Sequence, residues 1–269
     1  MNSLLGTTRK LKTLLLAIAM VAAARVAVGA AATAETSDGT ASPSTAPLSG
    51  DQVVQRMMQK NAERAAALRG FEGTRSYRLE YKGFPGNREA SMVVKIIYQA
   101  PDHKDFTVVS QSGSKLLLDR VLKRLLDSER EATNRENLAR TALTTENYGF
   151  ILAGYESTGA GSAYVLRVEP KTKNKFLYVG KIWVDAKDFA VTRVEAEPAR
   201  NPSFWIKKSE IRHVYKKVGD FWLPQQNYTV TAVRLGGRAI LTIDYQEYRI
   251  AGEQPGAQAT QGERSANSH

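Results

Sequence analysis

Residues 178–198 read YVGKIWVDAKDFAVTRVEAEP, and the reading of this stretch decides the rest. Its first half, with the residues just before it, places Phe176, Tyr178, Gly180, Ile182 and Val184 on one face of a strand. Leu177, Val179, Lys181, Trp183 and Asp185 fall on the other. The first row carries no charged group, and its glycine leaves room for close approach, so it is the face expected to look inward. VDAKD then sets Asp185 and Asp188 three positions apart, where the strand must reverse. Acid/base chemistry would need one carboxylate desolvated or crowded. A turn tip with Lys187 between them is wet, and an Asp opening a turn accepts hydrogen bonds from backbone amides two residues on. The stretch is a hairpin, and the two aspartates are expected to close its turn.

The period of two extends in both directions. Tyr77, Leu79 and Tyr81 alternate with Arg78, Glu80 and Lys82, and FPGN at 84–87 turns the chain. Met92, Val94, Ile96 and Tyr98 continue in a second strand, and 106–111 makes a third. Further strands are expected at 148–156, 163–169, 175–185, 190–197, 204–218, 222–233 and 239–250. Short connections and the absence of βαβ alternation predict a mainly antiparallel β (α+β) protein. Its single, strongly curved sheet of about ten strands would be open or nearly closed as a barrel.

Two helical regions accompany the strands. Ser49 with Gln52 three positions on forms a capping-box pattern. Val53, Val54, Met57, Met58, Asn61, Ala62 and Ala65 then recur at helical spacing to about Leu68, with Gly70 as a stop signal. Residues 115–130, KLLLDRVLKRLLDSER, carry Leu118, Val121, Leu122, Leu125 and Leu126 on one helical face, against Asp119, Lys123, Arg124 and Asp127. A second segment of this insertion spans about 134–143. Such stripes must be buried, and the sheet face is the available partner.

Of 269 residues, 42% are hydrophobic and 24% charged, and none is cysteine. Disulfides, thiolate metal sites, cysteine nucleophiles and a lipobox are thereby excluded. Arg9, Lys10 and Lys12 precede an apolar run of eleven at 14–24, followed by Arg25 and by AAATA at 30–34. The run is short for a membrane span of about 20 residues, and the small residues fit a signal peptide over 1–34 cleaved near Ala34. Cleavage removes four cations and no acid, taking the net charge from +11 to +7. Residues 35–49, rich in Ser, Thr, Pro and Gly, are expected to form a flexible linker, 50–251 the folded domain, and 252–269 a disordered tail. A basic exported protein can meet anionic headgroups. No basic stripe with interleaved aromatics marks a nucleic-acid binder.

Catalytic and metal templates are missing. His269 lies in the tail, His103 in a hairpin and His213 within a strand, with no H-E-x-x-H or glycine-rich phosphate loop. Ser112 and Ser114 in QSGSK lack the G-x-S-x-G elbow, and Ser114 is read as a helix cap. No catalytic residue, metal site or cofactor is assigned, and the chain is read as a non-enzyme. NPSFW (201–205) and GDFWLP (219–224) each place a Phe-Trp pair at a strand end, so one ring of each pair must face inward and the other outward.

The chain resembles the outer-membrane lipoprotein-sorting and carrier superfamily, the LolA/LolB-like fold shared with RseB-like sensors. The resemblance rests on the exported N-terminus, the helix leading into RSYRLEYKG, the helical insertion over 115–143, GKIWVDAKDFAVTRVE, GDFWLP and LTIDYQEYRI, and covers about residues 50–250. It implies an incompletely closed barrel whose helices form a lid over an apolar cavity. The cavity would be lined by Tyr77, Leu79, Met92, Val94, Ile96, Phe176, Tyr178, Ile182 and Val184, and gated by Leu118, Val121, Leu122 and Leu125. It further implies a periplasmic carrier of lipid or lipoprotein acyl chains, with an inner-membrane transporter and an outer-membrane acceptor as partners. The alternative within the fold is an RseB-like sensing module. The absent lipobox cysteine argues against an anchored acceptor of the LolB kind, and the Pro-rich linker points to a divergent subgroup.

Overall fold

A computed structural model describes residues 48–252 except 133, 134, 159, 160, 175, 202, 203, 205 and 235. The expected signal peptide and nearly all of the expected linker and tail lie outside the described residues. The first helix, α1 (Gly50–Ala67), opens on the expected box: the Ser49 amide donates to Gln52 Oε1 at 2.9 Å, and the Gln52 amide donates to Ser49 Oγ at 3.3 Å. Val53, Val54 and Met57 form its buried stripe. The helix stops at Ala67, and Leu68 is already extended. Gly70 is not the helix stop that the sequence suggested; it is the first residue of a strand, where a Cβ would lie 2.6 Å from the Tyr98 carbonyl. The glycine is there because two backbones meet, not because a helix reverses.

Ten antiparallel strands follow: β1 (Gly70–Gly83), β2 (Arg88–Gln99), β3 (His103–Gly113), β4 (Tyr148–Thr158), β5 (Gly161–Pro170), β6 (Tyr178–Asp185), β7 (Val191–Pro198), β8 (Ile206–Val218), β9 (Phe221–Val233) and β10 (Gly237–Ile250). They form one sheet in the order β3-β2-β1-β10-β9-β8-β7-β6-β5-β4. Two meanders are therefore spliced where β10 pairs with β1, from Phe71↔Ile250 to Gly83↔Gly237. β3 and β4 are the two edges, so the curved sheet is an incomplete barrel. A sheet this wide coils because each strand is rotated against the next.

The connection from β3 to β4 must carry the chain from one edge of the sheet to the other. It does so as α2 (Lys115–Leu117), a π-helical turn (Leu118–Leu122), α3 (Lys123–Ala132) and α4 (Arg135–Thr141). The expected single helix over 115–130 is thus interrupted by a wider turn, which resets the face its leucines present. α4 is shorter than expected; the Asn147 side chain donates through Nδ2 to the carbonyls of Ala139 and Ala142 at 2.9 Å each and ends it. β6 begins at Tyr178 rather than 175, because the Phe176 amide donates to Asn174 Oδ1 at 3.0 Å in a turn.

The interior divides in three. The α2–α3 arm packs on β1, β2 and β10. α1 packs on inward residues of β4 to β8. A smaller cluster of Phe71, Ile96, Leu223 and Ile250 closes the end of the sheet opposite the β1–β2 turn. Ser49→Ala removes one member of the capping box and is expected to cost about 1 kcal/mol of stability, measured by denaturant unfolding.

Candidate functional site

The inward face of the β1–β2–β10 region is built by alternation. Tyr77, Leu79 and Tyr81 from β1, Ala90, Met92 and Val94 from β2, and Ala239, Leu241 and Ile243 from β10 are all buried. Against them lie Leu117, Leu118, Val121, Leu122, Leu125 and Leu126 of the arm. Four of the nine residues expected to line a cavity, Tyr77, Leu79, Met92 and Val94, thus meet all four expected lid residues. Tyr178, Ile182 and Val184 instead belong to the second core, beneath α1. Ile96 belongs to the end cluster, and Phe176 is buried just ahead of β6. Of the nine, the arm covers four; three lie beneath α1, and Ile96 and Phe176 fall outside both groups.

Gly180 does sit on the inward row, but it makes room for a strand. A Cβ there would lie 2.6 Å from Ala196 Cα of β7. Between the lobes the face is polar. Ser209, Asn227, Thr229 and Thr231 of β8 and β9 are each 1% exposed. Ser209 and Thr231 hydroxyls meet at 3.0 Å, and Thr229 donates to Asn227 Oδ1 at 3.0 Å. His213 stands opposite Asn227 in register, half-buried. Buried hydroxyls cost little when paired, and here they form a neutral hydrogen-bonding seam. The signal was present in the sequence, since QNYTVTAV puts Asn, Thr and Thr on one parity between hydrophobic strands.

A buried charge cluster pins the far end of the arm. Arg75 of β1 donates through Nη1 to both carboxylate oxygens of Glu129 in α3, at 2.8 Å each. Lys104 of β3 donates to the same carboxylate at 3.4 Å. Arg75 and Glu129 are both buried. The guanidinium also lies 4.8 Å from the Tyr245 ring centroid and 5.5 Å from that of Phe106, positions that favour a cation over an aromatic face. Sequence reading passed over Arg75, although its parity with Tyr77 and Leu79 places it inward. Alone among the described arginines it is buried on the inward face.

The hairpin of residues 178–198 ties the second lobe together. Asp185 Oδ1 accepts the amides of Lys187 (2.9 Å) and Asp188 (2.7 Å), closing the turn as expected. Asp188 does something else. Its carboxylate accepts from Lys217 Nζ at 2.7 Å and Trp222 Nε1 at 2.9 Å, clamping the β8–β9 hairpin. These hydrogen bonds, Lys217 first, hold its pKa below the usual carboxylate range. From α1, Arg64 donates to the backbone carbonyls of Asp188 (2.8 Å) and Phe189 (3.2 Å). Trp183, on the outer face, is covered by the Arg193 guanidinium 3.5 Å from its ring centroid and donates to Glu156 at 2.8 Å. Burial raises the Tyr148 and Tyr178 phenols well above their usual range. The Tyr148 hydroxyl accepts the Tyr178 amide at 3.4 Å.

No family model matches the chain, and no curated protein does. Among solved structures the chain is similar to a LolA superfamily protein from Nitrosomonas europaea, at 13% identity over 77% of this chain and 96% of that one, TM-score 0.34. It is similar to an outer membrane lipoprotein-sorting protein domain from Vibrio parahaemolyticus, at 12% identity over 77% and 95%, TM-score 0.38. A DUF1329 family protein from Desulfovibrio piger gives 12% identity over 76% and 94%, TM-score 0.39.

Two predictions follow from this geometry. Glu129→Ala leaves Arg75 and Lys104 buried without their carboxylate and should lower stability by about 3 kcal/mol, while the double change Arg75→Met with Glu129→Leu should recover most of it. Chemical denaturation of the three proteins measures this. Asp188, whose folded pKa is depressed, contributes stability that is present above its unfolded pKa. That contribution is lost as pH falls from about 4 through the folded value. Asp188→Asn should therefore flatten the acid limb of a stability-versus-pH curve, and soften the alkaline limb too, because Lys217 loses the carboxylate that raises its pKa.

Proposed function

We propose that the chain is a periplasmic carrier that takes an acyl chain of a lipid or lipoprotein onto the inward face beneath the arm and ferries it across the envelope toward the outer membrane. One observation carries this reading: an amphipathic arm, bridging the two edges of an open sheet, buries six apolar side chains on a wall of β1, β2 and β10. An acyl chain offers that wall the same chemistry as the arm's leucines. Exchange of one for the other keeps the wall dry, and each CH₂ hidden from water contributes about 0.8 kcal/mol. The seam of Ser209, Asn227, Thr229 and Thr231 beside the wall suits the ester or amide that ends such a chain. Passive transfer of this kind requires no catalytic residue and no cofactor.

The partners of this reading are a membrane donor and an outer-membrane acceptor. Native mass spectrometry and organic extraction of the purified protein should find an acyl ligand, or show one taken up from added lipid. A chain that never carries or accepts an acyl ligand overturns the reading, and capture of one stoichiometric envelope protein in its place would mark a sensing module. Glu129→Gln weakens the anchor of the arm and should speed uptake of a fluorescent fatty acid severalfold, read by stopped-flow fluorescence.

A further inference from the structure

Three turns stand side by side at one end of the sheet. Gly83 pairs with Gly237, and Ile206 with Val233, so the β9–β10 turn lies between the β1–β2 turn and the β7–β8 connection. At the outer two stand Phe84, 62% exposed, and Phe204, 73% exposed, the most open large hydrophobic side chains among the described residues. Neither belongs to a core cluster. From the middle turn the Arg234 guanidinium reaches within 4.8 Å of the Phe204 ring centroid. The turn bearing Phe84 is well fixed. The Phe84 carbonyl accepts the Tyr81 hydroxyl at 2.6 Å, and the Gly83 amide donates to Asn87 Oδ1 at 3.2 Å.

The charge on this rim is one-sided. Lys82, Arg88, Arg200, Lys207, Arg234 and Arg238 are all exposed there. The carboxylates among them are Glu80, 3.9 Å from Lys82, and Glu89. On the outer face of β7 and β8, by contrast, Arg193 and Arg212 share Glu195, and Lys208 meets both Glu197 and Glu210. Exposed rings set among cations of which, among the described residues, Lys82 alone meets a carboxylate serve no folding purpose. At a bilayer surface they have one, since aromatic rings settle at the headgroup level and Lys and Arg meet anionic lipid.

We propose that this rim docks on an anionic phospholipid bilayer, with Phe84 and Phe204 entering the interface and the cations around Arg234 and Arg238 meeting lipid phosphates. The proposal does not rest on the carrier reading, because the two rings and the cations need no cargo to act. Its test is vesicle flotation of the full chain with phosphatidylcholine alone and with added phosphatidylglycerol. Wild type is compared with the pair Phe84→Ser, Phe204→Ser and with the pair Arg234→Gln, Arg238→Gln. Any contribution of the N-terminal apolar run is common to all three. Wild type should favour the phosphatidylglycerol vesicles, more so at low salt. Each double variant should weaken that binding by about tenfold while its thermal unfolding stays unchanged. Absence of a preference in the wild type, or variants that float like it, overturns the proposal. So does a rim variant that loses capture of an envelope protein while binding vesicles normally, since the rim would then belong to a protein partner.

Discussion

The structure depends on one topological constraint. β1 is paired on both sides, by β2 and by the last strand, β10, so the chain leaves the first meander at one edge and enters the second at the other. Between β3 and β4 it must cross the concavity, and a backbone crossing an apolar concavity has to satisfy its own hydrogen bonds. Helices do that, and an amphipathic one also buries its leucines on the wall beneath. The arm is therefore both the connector and the cover.

The cover is held differently along its length. Its N-terminal part is held by packing, through Leu117 to Leu126. Its C-terminal part is pinned by Arg75, Lys104 and Glu129, where two cations converge on one carboxylate. Buried ion pairs contribute little net stability, because desolvation offsets attraction, yet they break at high cost when one partner leaves. Such a pin favours one arrangement of the arm over others more than it stabilises the fold. The other lobe is anchored separately: α1 grips the 185–190 turn through Arg64, and Asp188 joins that turn to β9. A polar seam lies between the two lobes.

Much of this was legible in the sequence. Period-two alternation placed Tyr77, Leu79, Met92, Val94, Ile182 and Val184 inward, and the Ser49–Gln52 box marked where α1 begins. The stripe Leu118–Leu125 identified the arm and its buried face. What alternation does not encode is which strands become neighbours across the splice. Whether Tyr178 and Tyr77 share a lobe depends on the pairing of β1 with β10, and nothing local in either strand announces it. For the same reason Asp188 reads as a second turn residue until β8 and β9 bring Lys217 and Trp222 to it. Gly70 and Gly180 are likewise explained by neighbouring backbones distant in sequence. Arg75 and the Asn227–Thr231 row were readable by parity, and were missed because polar residues on an inward face run against the expectation that the face is apolar.

The central claim is that the arm and an acyl chain compete for one wall. Hydrogen exchange, followed peptide by peptide with and without a long-chain acyl ligand, addresses it directly. The account predicts that ligand alters protection across residues 115–132 and in the facing strands β1, β2 and β10, while α1 and β5 to β7 keep theirs. Unchanged protection of the arm in the presence of bound ligand, or changes confined to the α1 lobe, would contradict it.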